Sequence, residues 1–161
     1  EVGNSFNYDS LRYEKIIIMT DADVDGAHIA SLLLTFFFIQ MPDLILKGNL
    51  FLAVPPLFRL STGSKILYAS SAEEKDKYIS SNFLGKGKVD ISRFKGLGEM
   101  NPSQLKETTM NPTTRKLIKI NVNNDDISSD NELVEKLMGK NPETRFEYII
   151  ENAKFFEPTH I

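Results

Sequence analysis

Apolar residues enter this chain in short blocks whose period changes from one block to the next. Lys15–Thr20 (KIIIMT) is a β-branched run, which predicts a buried strand. Ala27–Met41 is apolar at most positions and predicts a buried helix stopped by Pro42, with Phe36–Phe38 in the core. Asn49–Val54 (NLFLAV) predicts a strand closed by Pro55 and Pro56. Leu57–Leu60 and Ile66–Ala69 flank a Ser-Thr-Gly turn and predict a hairpin.

Polar punctuation then sets out the helices. Ser71 followed by Glu74 has capping-box spacing and predicts a helix to about Ser80. Asn101-Pro102 places a cap residue before an N1 proline and predicts a helix over Ser103–Thr108. Lys116–Val122 predicts a strand. Ser129 and Glu132 repeat the capping-box spacing, with Leu133, Val134, Leu137 and Met138 as one apolar face and Gly139 as the stop. Asn141-Pro142 starts a last helix with the stripe Phe146, Ile149, Ile150 and Ala153. Strands alternating with helices, then helices alone, predict an α/β fold with a helical end.

Composition narrows the function classes. The 161 residues suffice for one domain with a core and include no Cys, which excludes a disulfide framework, a thiol nucleophile and a Cys-type zinc site. That absence fits a reducing cytosol, and a cytoplasmic location is expected. The longest apolar run, Ile29–Ile39, is too short to span a bilayer, and the polar N-terminus shows no signal peptide. The start at Glu1 rather than Met suggests a fragment. The net charge of −3 hides an uneven distribution. Residues 86–120 hold eight bases against three acids, and residues 121–161 hold nine acids against four bases. A basic middle suits a polyanion, although ordinary solvated faces would look the same.

The chemistry concentrates where the first strand ends, at Asp21-Ala-Asp-Val-Asp-Gly26. In an extended segment residues two apart point the same way, so Asp21, Asp23 and Asp25 would converge. Converging carboxylates repel, and a hard divalent cation removes that penalty. Ligands of open α/β sheets gather at such strand ends. Four readings meet here. A calcium loop needs a helix beforehand and a Glu where Leu32 stands. A haloacid-dehalogenase-type phosphatase would use Asp21 as nucleophile and Asp23 as general acid, with Asp125-Asp126 as its later acidic pair. A purely structural turn would cap the following helix with one aspartate. A Toprim metal site would use the acids on Mg²⁺.

The rest of the chain decides between them by resemblance. MTDADVDGAHIASLLLTFFF resembles the acidic motif of bacterial type IIA DNA topoisomerases. SRFKGLGEMNPSQLKETTMNPTTRKL, from Ser92 to Leu117, is similar to the RFKGLGEMNP block of the same proteins, and LMGKNPETRFEYIIENA to the C-terminal end of their B subunits. The three blocks fall in the family's order and span nearly the whole chain. The short spacing before RFKGLGEM, with Phe94 and MGKNPETRF, leans toward the topoisomerase IV branch rather than the gyrase branch.

The resemblance implies a Toprim-like (Rossmann-like) parallel sheet flanked by helices over residues 1–122, without its first strand, and a helical tail over 123–161. It implies that Asp21 and Asp23 bind Mg²⁺, which Mn²⁺ or Ca²⁺ can replace, with Asp25 a weaker ligand. It places His28, Ser31, Lys95 and Arg145 near DNA, Arg93 less so, and gives Glu99 the task of orienting a basic neighbour. The implied partners are double-stranded DNA and an A subunit that carries the attacking tyrosine, in an A2B2 assembly at the nucleoid. ATP would bind elsewhere in the parent protein. The family's Glu-Gly-Asp and Pro-Leu-Arg-Gly-Lys motifs have no match here, so the chain alone is expected to be inactive. A docking module that grips the A subunit and DNA without catalysis is the reading from a different class.

Overall fold

The structure, a computed structural model, describes residues 2–83, 85, 87–122 and 127–155. Six strands and six α-helices alternate along the described chain. β1 (Ile16–Ile18) leads into α1 (Val24–Gln40) and α2 (Pro42–Leu46), then β2 (Leu50–Ala53), β3 (Phe58–Thr62) and β4 (Lys65–Ala69). After α3 (Ala72–Asn82) come β5 (Asp90–Arg93), α4 (Pro102–Leu105), β6 (Leu117–Lys119), α5 (Ile127–Met138) and α6 (Pro142–Asn152). The class is α/β, as the alternation predicts.

The strands form two three-stranded sheets, in the orders β1-β2-β6 and β4-β3-β5. β3 pairs antiparallel with both neighbours, Leu60 lying opposite Leu67 on one side and Ile91 on the other. The Val54 N–H donates to the Lys116 carbonyl and the Ile120 N–H to that of Leu50, so β2 and β6 also run antiparallel. The sheets are therefore a mixed arrangement, with the expected hairpin of β3 and β4 in place. The reason is local: Gly63, at φ +56°, closes β3 onto β4 in a tight hairpin, and such connections join only antiparallel strands. β5 carries no alternating apolar pattern and all four of its residues are exposed, so nothing in its sequence announced a strand.

By compactness the chain forms two units, one of Glu1–Ile16, Ser31–Leu50 and Lys119–Ile161, the other of Ile17–Ala30 and Phe51–Ile118. In the first unit Leu44, Ile45 and Leu50 are buried. In the second, Leu60, Ala69 and Phe83 form the core, with Phe58, Leu67, Tyr78, Ile79 and Val89 packed around them. Burying one such leucine stabilises the fold by roughly 1.5–3 kcal/mol relative to leaving it in water.

Two apolar stretches expected in the interior are exposed at many of their positions, although Phe37 and Phe38 are half-buried. On α1 only Gly26 and Ala30 are buried, while Ile29 is 50% and Phe36 42% exposed. Because α1 is apolar all round, its sequence could not say which positions face out. The α6 stripe behaves likewise, with Phe146 64% exposed and Ile149 and Ile150 both above half.

Capping chemistry was more legible. Ser71 Oγ accepts the Glu74 N–H at 3.1 Å, and Asn101 and Gln104 make the reciprocal capping box. Asn141 Oδ1 accepts the Glu143 N–H at 3.0 Å, starting α6. Ser129 does not cap α5, which begins two residues earlier at Ile127. α1 begins three residues before the predicted Ala27, because Asp23 caps it: Asp23 Oδ1 accepts the Gly26 N–H at 2.7 Å. Gly26 is there for space. A Cβ at this position would lie 2.0 Å from the Asp21 carbonyl oxygen, a backbone atom with nowhere to go.

Glu74 ties three segments of the second unit together. Its carboxylate accepts the Ser70 N–H at 2.7 Å and the Tyr78 hydroxyl at 2.8 Å, and it pairs with Lys116 Nζ at 2.7 Å. Burial by itself raises this carboxyl. The bonds from Lys116, Ser70 and Tyr78 outweigh it and bring the pKa down from 4.5 to about 2.

Three substitutions have expected outcomes. Because the folded-state pKa of Glu74 is depressed, its contribution is complete above pH 4.5 and is lost as pH falls toward 2. With the side chain 24% exposed and partly screened, that contribution is about 2 kcal/mol. Chemical denaturation should show Glu74→Gln less stable by that amount at pH 7, with a shallower loss of stability between pH 5 and 3 than the parent. Gly26→Ala should cost about 3 kcal/mol by the same measurement, because backbone must move. Gly98→Ala, which meets nothing within 4 Å, should stay within about 0.5 kcal/mol.

Candidate metal and DNA site

The acidic segment lies between β1 and α1. Hydrogen-bonded strand ends at Ile18, and helix begins at Val24, so only Asp21 and Asp23 precede regular helix. Asp25 belongs to the first turn of α1 and is exposed there. The two-residue alternation that would aim all three carboxylates at one point therefore ends at Asp23. The strand before the acids also rules out the calcium loop, which needs a helix in that place.

Opposite the acids stands the turn of residues 95–99. Phe94 and Met100, both buried, anchor it at its two ends, and the Phe94 N–H donates to the Leu57 carbonyl at 2.9 Å. The Lys95 N–H donates to Glu99 Oε2 at 2.8 Å, closing the turn on itself. From this turn the Leu97 N–H donates to Asp21 Oδ1 at 2.8 Å, across 76 positions of sequence. Pro55, Pro56 and Ala22 line the same small crevice as Phe94 and Met100 and back the contact.

The result is a shallow, open depression lined by Asp21, Asp23, Lys95, Gly96, Gly98 and Glu99. It brings Asp21, Asp23 and Lys95 together. Asp25 and His28 lie on α1, exposed and outside this lining. Ser31 and Arg145 belong to the other compact unit. There Ser31 is exposed and its carbonyl accepts the Thr35 hydroxyl at 2.8 Å. Arg145 is half-buried, and its Nη2 donates to the Gly139 carbonyl at 2.9 Å across the α5–α6 turn. Glu99 grips a backbone N–H of Lys95 rather than a cationic side chain. The Leu97 N–H had no signal in the sequence, because a backbone donor is the same at every non-proline position.

The donor set suits a small, hard cation. Asp21 has one oxygen on Leu97 and Asp23 one on Gly26, and each carboxylate has a second oxygen to offer. Mg²⁺ is held by one or two carboxylates and completed by water and phosphate oxygens. Among the described residues no three His, Cys, Asp or Glu side chains form a ready-made cage, which would suit a cation that sheds all its water. The acidic pair Asp125-Asp126 lies outside the described residues. A more enclosed cavity of about 190 Å³ lies elsewhere in the second unit, lined by Tyr68, Glu107 and Lys116 among others. Burial and the Glu107 carboxylate raise the Tyr68 phenol above its ordinary value, so it is neutral at pH 7 and offers no base. The carboxylate pair is the stronger candidate.

Residues 2–53 match the Toprim domain family, and residues 86–150 match the carboxyl-terminal family of the DNA gyrase B subunit. The chain is 55% identical over 152 residues to the B subunit of DNA topoisomerase 4 from Bartonella bacilliformis, covering 94% of this chain and 22% of that protein. It is 55% identical over 154 residues to the protein of the same name from Rickettsia typhi, covering 94% and 23%. The DNA gyrase B subunit of Spiroplasma citri is 49% identical over 154 residues, covering 96% and 24%. The chain thus spans less than a quarter of the length of these relatives. Identity is higher to the two topoisomerase 4 proteins, the branch toward which Phe94 and MGKNPETRF lean, than to this gyrase. With two family matches in tandem and about half or more of its residues shared with each of these relatives, the chain belongs to the B subunits of the bacterial type IIA DNA topoisomerases and corresponds to their Toprim and carboxyl-terminal part.

Proposed function

We propose that this chain carries the metal-binding half of a DNA double-strand cleavage site. The observation that supports it best is the pairing of Asp21 and Asp23 in one depression beside Lys95, with Asp21 held from behind by the Leu97 N–H. A bound Mg²⁺ would supply positive charge where phosphoryl transfer builds negative charge. Asp21 and Asp23 would hold the ion through the oxygens that Leu97 and Gly26 leave. Lys95 would add positive charge for a backbone phosphate, a contact that positions DNA without reading its sequence. His28 and Ser31, exposed along α1, would contact neighbouring phosphates. Arg145 would do so while its Nη2 holds the Gly139 carbonyl.

The attacking tyrosine would come from an A subunit, and ATP would bind in another part of the parent protein. The whole enzyme, in an A2B2 assembly, would pass one duplex through a break in another, and its place would be the bacterial cytoplasm, on the nucleoid. No described helix is long and apolar enough to cross a membrane. The domain division proposed is a Toprim region to residue 122 and a carboxyl-terminal helical region after it. On its own the chain is expected to be inactive.

A second reading has its own support. The exposed apolar positions of α1 and α6, Ile29 and Phe146 among them, suit a docking module that grips the A subunit without taking part in chemistry.

The two readings part at the carboxylates. Asp21→Asn with Asp23→Asn, placed in a full-length B subunit paired with its A subunit, should lower Mg²⁺-dependent DNA cleavage by at least about 100-fold. Assembly, followed by gel filtration, should be unchanged. Cleavage at the parental level in that double variant would leave the docking module standing and remove the metal site.

A further inference from the structure

We propose that the turn of residues 95–99 is the positioning element for the Asp21 carboxylate, with Gly96 as the positioning residue. This inference rests on the metal-site reading above.

The argument begins with the glycine. Gly96 has φ −152° and ψ 170°, extended backbone that any residue adopts, so its conformation does not call for glycine. Space does. A Cβ at residue 96 would lie 2.9 Å from both Cγ and Oδ2 of Asp21 and 3.1 Å from Oδ1. Gly98, in the same turn and lining the same depression, would meet nothing within 4 Å. Only one of the two glycines is therefore pressed against the carboxylate.

The crowded atoms are the end of a side chain. An alanine at 96 would displace the carboxylate by rotation and leave the backbone where it is, the opposite of the situation at Gly26, where the obstacle is the Asp21 carbonyl. With glycine in place, the carboxylate lies flat against the turn and gives one oxygen to the Leu97 N–H. That contact fixes the orientation of the second oxygen. A carboxylate held this way loses less side-chain freedom when it takes up a cation, and partners behind a metal ligand commonly set a large part of its affinity. Glu99 supports the arrangement from within the turn. By accepting the Lys95 N–H it keeps the turn tight and the Leu97 N–H aimed at Asp21.

The test is Mn²⁺ binding to the chain, followed by the loss of the free-ion electron paramagnetic resonance signal, with circular dichroism as the check on folding. Asp21→Asn should abolish the binding; if it binds as the parent does, or if the parent binds no Mn²⁺, the metal-site reading falls and the positioning role with it. Given that loss, folded Gly96→Ala should bind about tenfold more weakly or worse, and Gly98→Ala should change affinity by less than about twofold. A folded Gly96→Ala with parental affinity overturns the positioning role while leaving the metal site in place. If Gly96→Ala does not fold, Glu99→Ala and Glu99→Gln decide. Both remove the charge, but only glutamine keeps an acceptor for the Lys95 N–H. Positioning requires the alanine variant to bind about threefold more weakly than the glutamine variant, and equal affinities overturn it.

Discussion

One hydrogen bond, from the Leu97 N–H to Asp21 Oδ1, carries the organisation of the candidate site. It joins two segments that are remote in sequence and belong to different motifs, the strand-to-helix junction and the glycine-rich turn. Neither segment forms the depression alone. The bond can form only because Gly26 lets the first turn of α1 close against the Asp21 carbonyl and Gly96 lets the turn approach the Asp21 carboxylate. Buried Phe94 and Met100 hold the turn in place from below. The two glycines thus make room for the backbone and for the side chain of one aspartate.

The same use of carboxylates recurs through the molecule. Asp21, Asp23, Glu74 and Glu99 each accept a backbone N–H, from Leu97, Gly26, Ser70 and Lys95 respectively. Each bond satisfies a donor at a helix start or turn that would otherwise need water, and each fixes a charged side chain that would otherwise be mobile. In Glu74 the remaining acceptor capacity goes to Lys116 and Tyr78, and the result is structural. In Asp21 and Asp23 the remaining oxygens line an open depression, which makes them available to a ligand. The structural reading of the acidic turn and the metal reading are therefore compatible, since Asp23 caps α1 with one oxygen and has another to give.

Much of the local structure was legible before any coordinates. Caps at Ser71, Asn101 and Asn141 follow from short-range competition for backbone N–H groups, and all three are found in place. The family, too, was legible, because its three blocks are long and ordered. What misled was burial. α1 is apolar on every side, so the periodicity that normally marks an inward face is absent, and only Gly26 and Ala30 of that helix are buried. The α6 stripe is periodic, yet Phe146, Ile149 and Ile150 are exposed, because a stripe specifies a face and not the surface that covers it. β5 was invisible for the converse reason, being an exposed edge strand held by backbone bonds to β3 that any sequence can make.

Residue order alone settles where three of the six described α-helices start, which residues bear the charge, and that Asp21 and Asp23 follow a strand. These depend on neighbours within a few positions, and physical rules at that range are written in residue type. Packing settles the rest: that Asp25 turns away on the helix, that Lys95 joins the carboxylate pair, that Glu99 binds a backbone N–H, and that a glycine in an ordinary conformation is required by a side chain 75 positions earlier. Those outcomes depend on which surfaces approach one another across long stretches of chain, and a backbone donor or an absent Cβ leaves no mark of its partner in the order of residues.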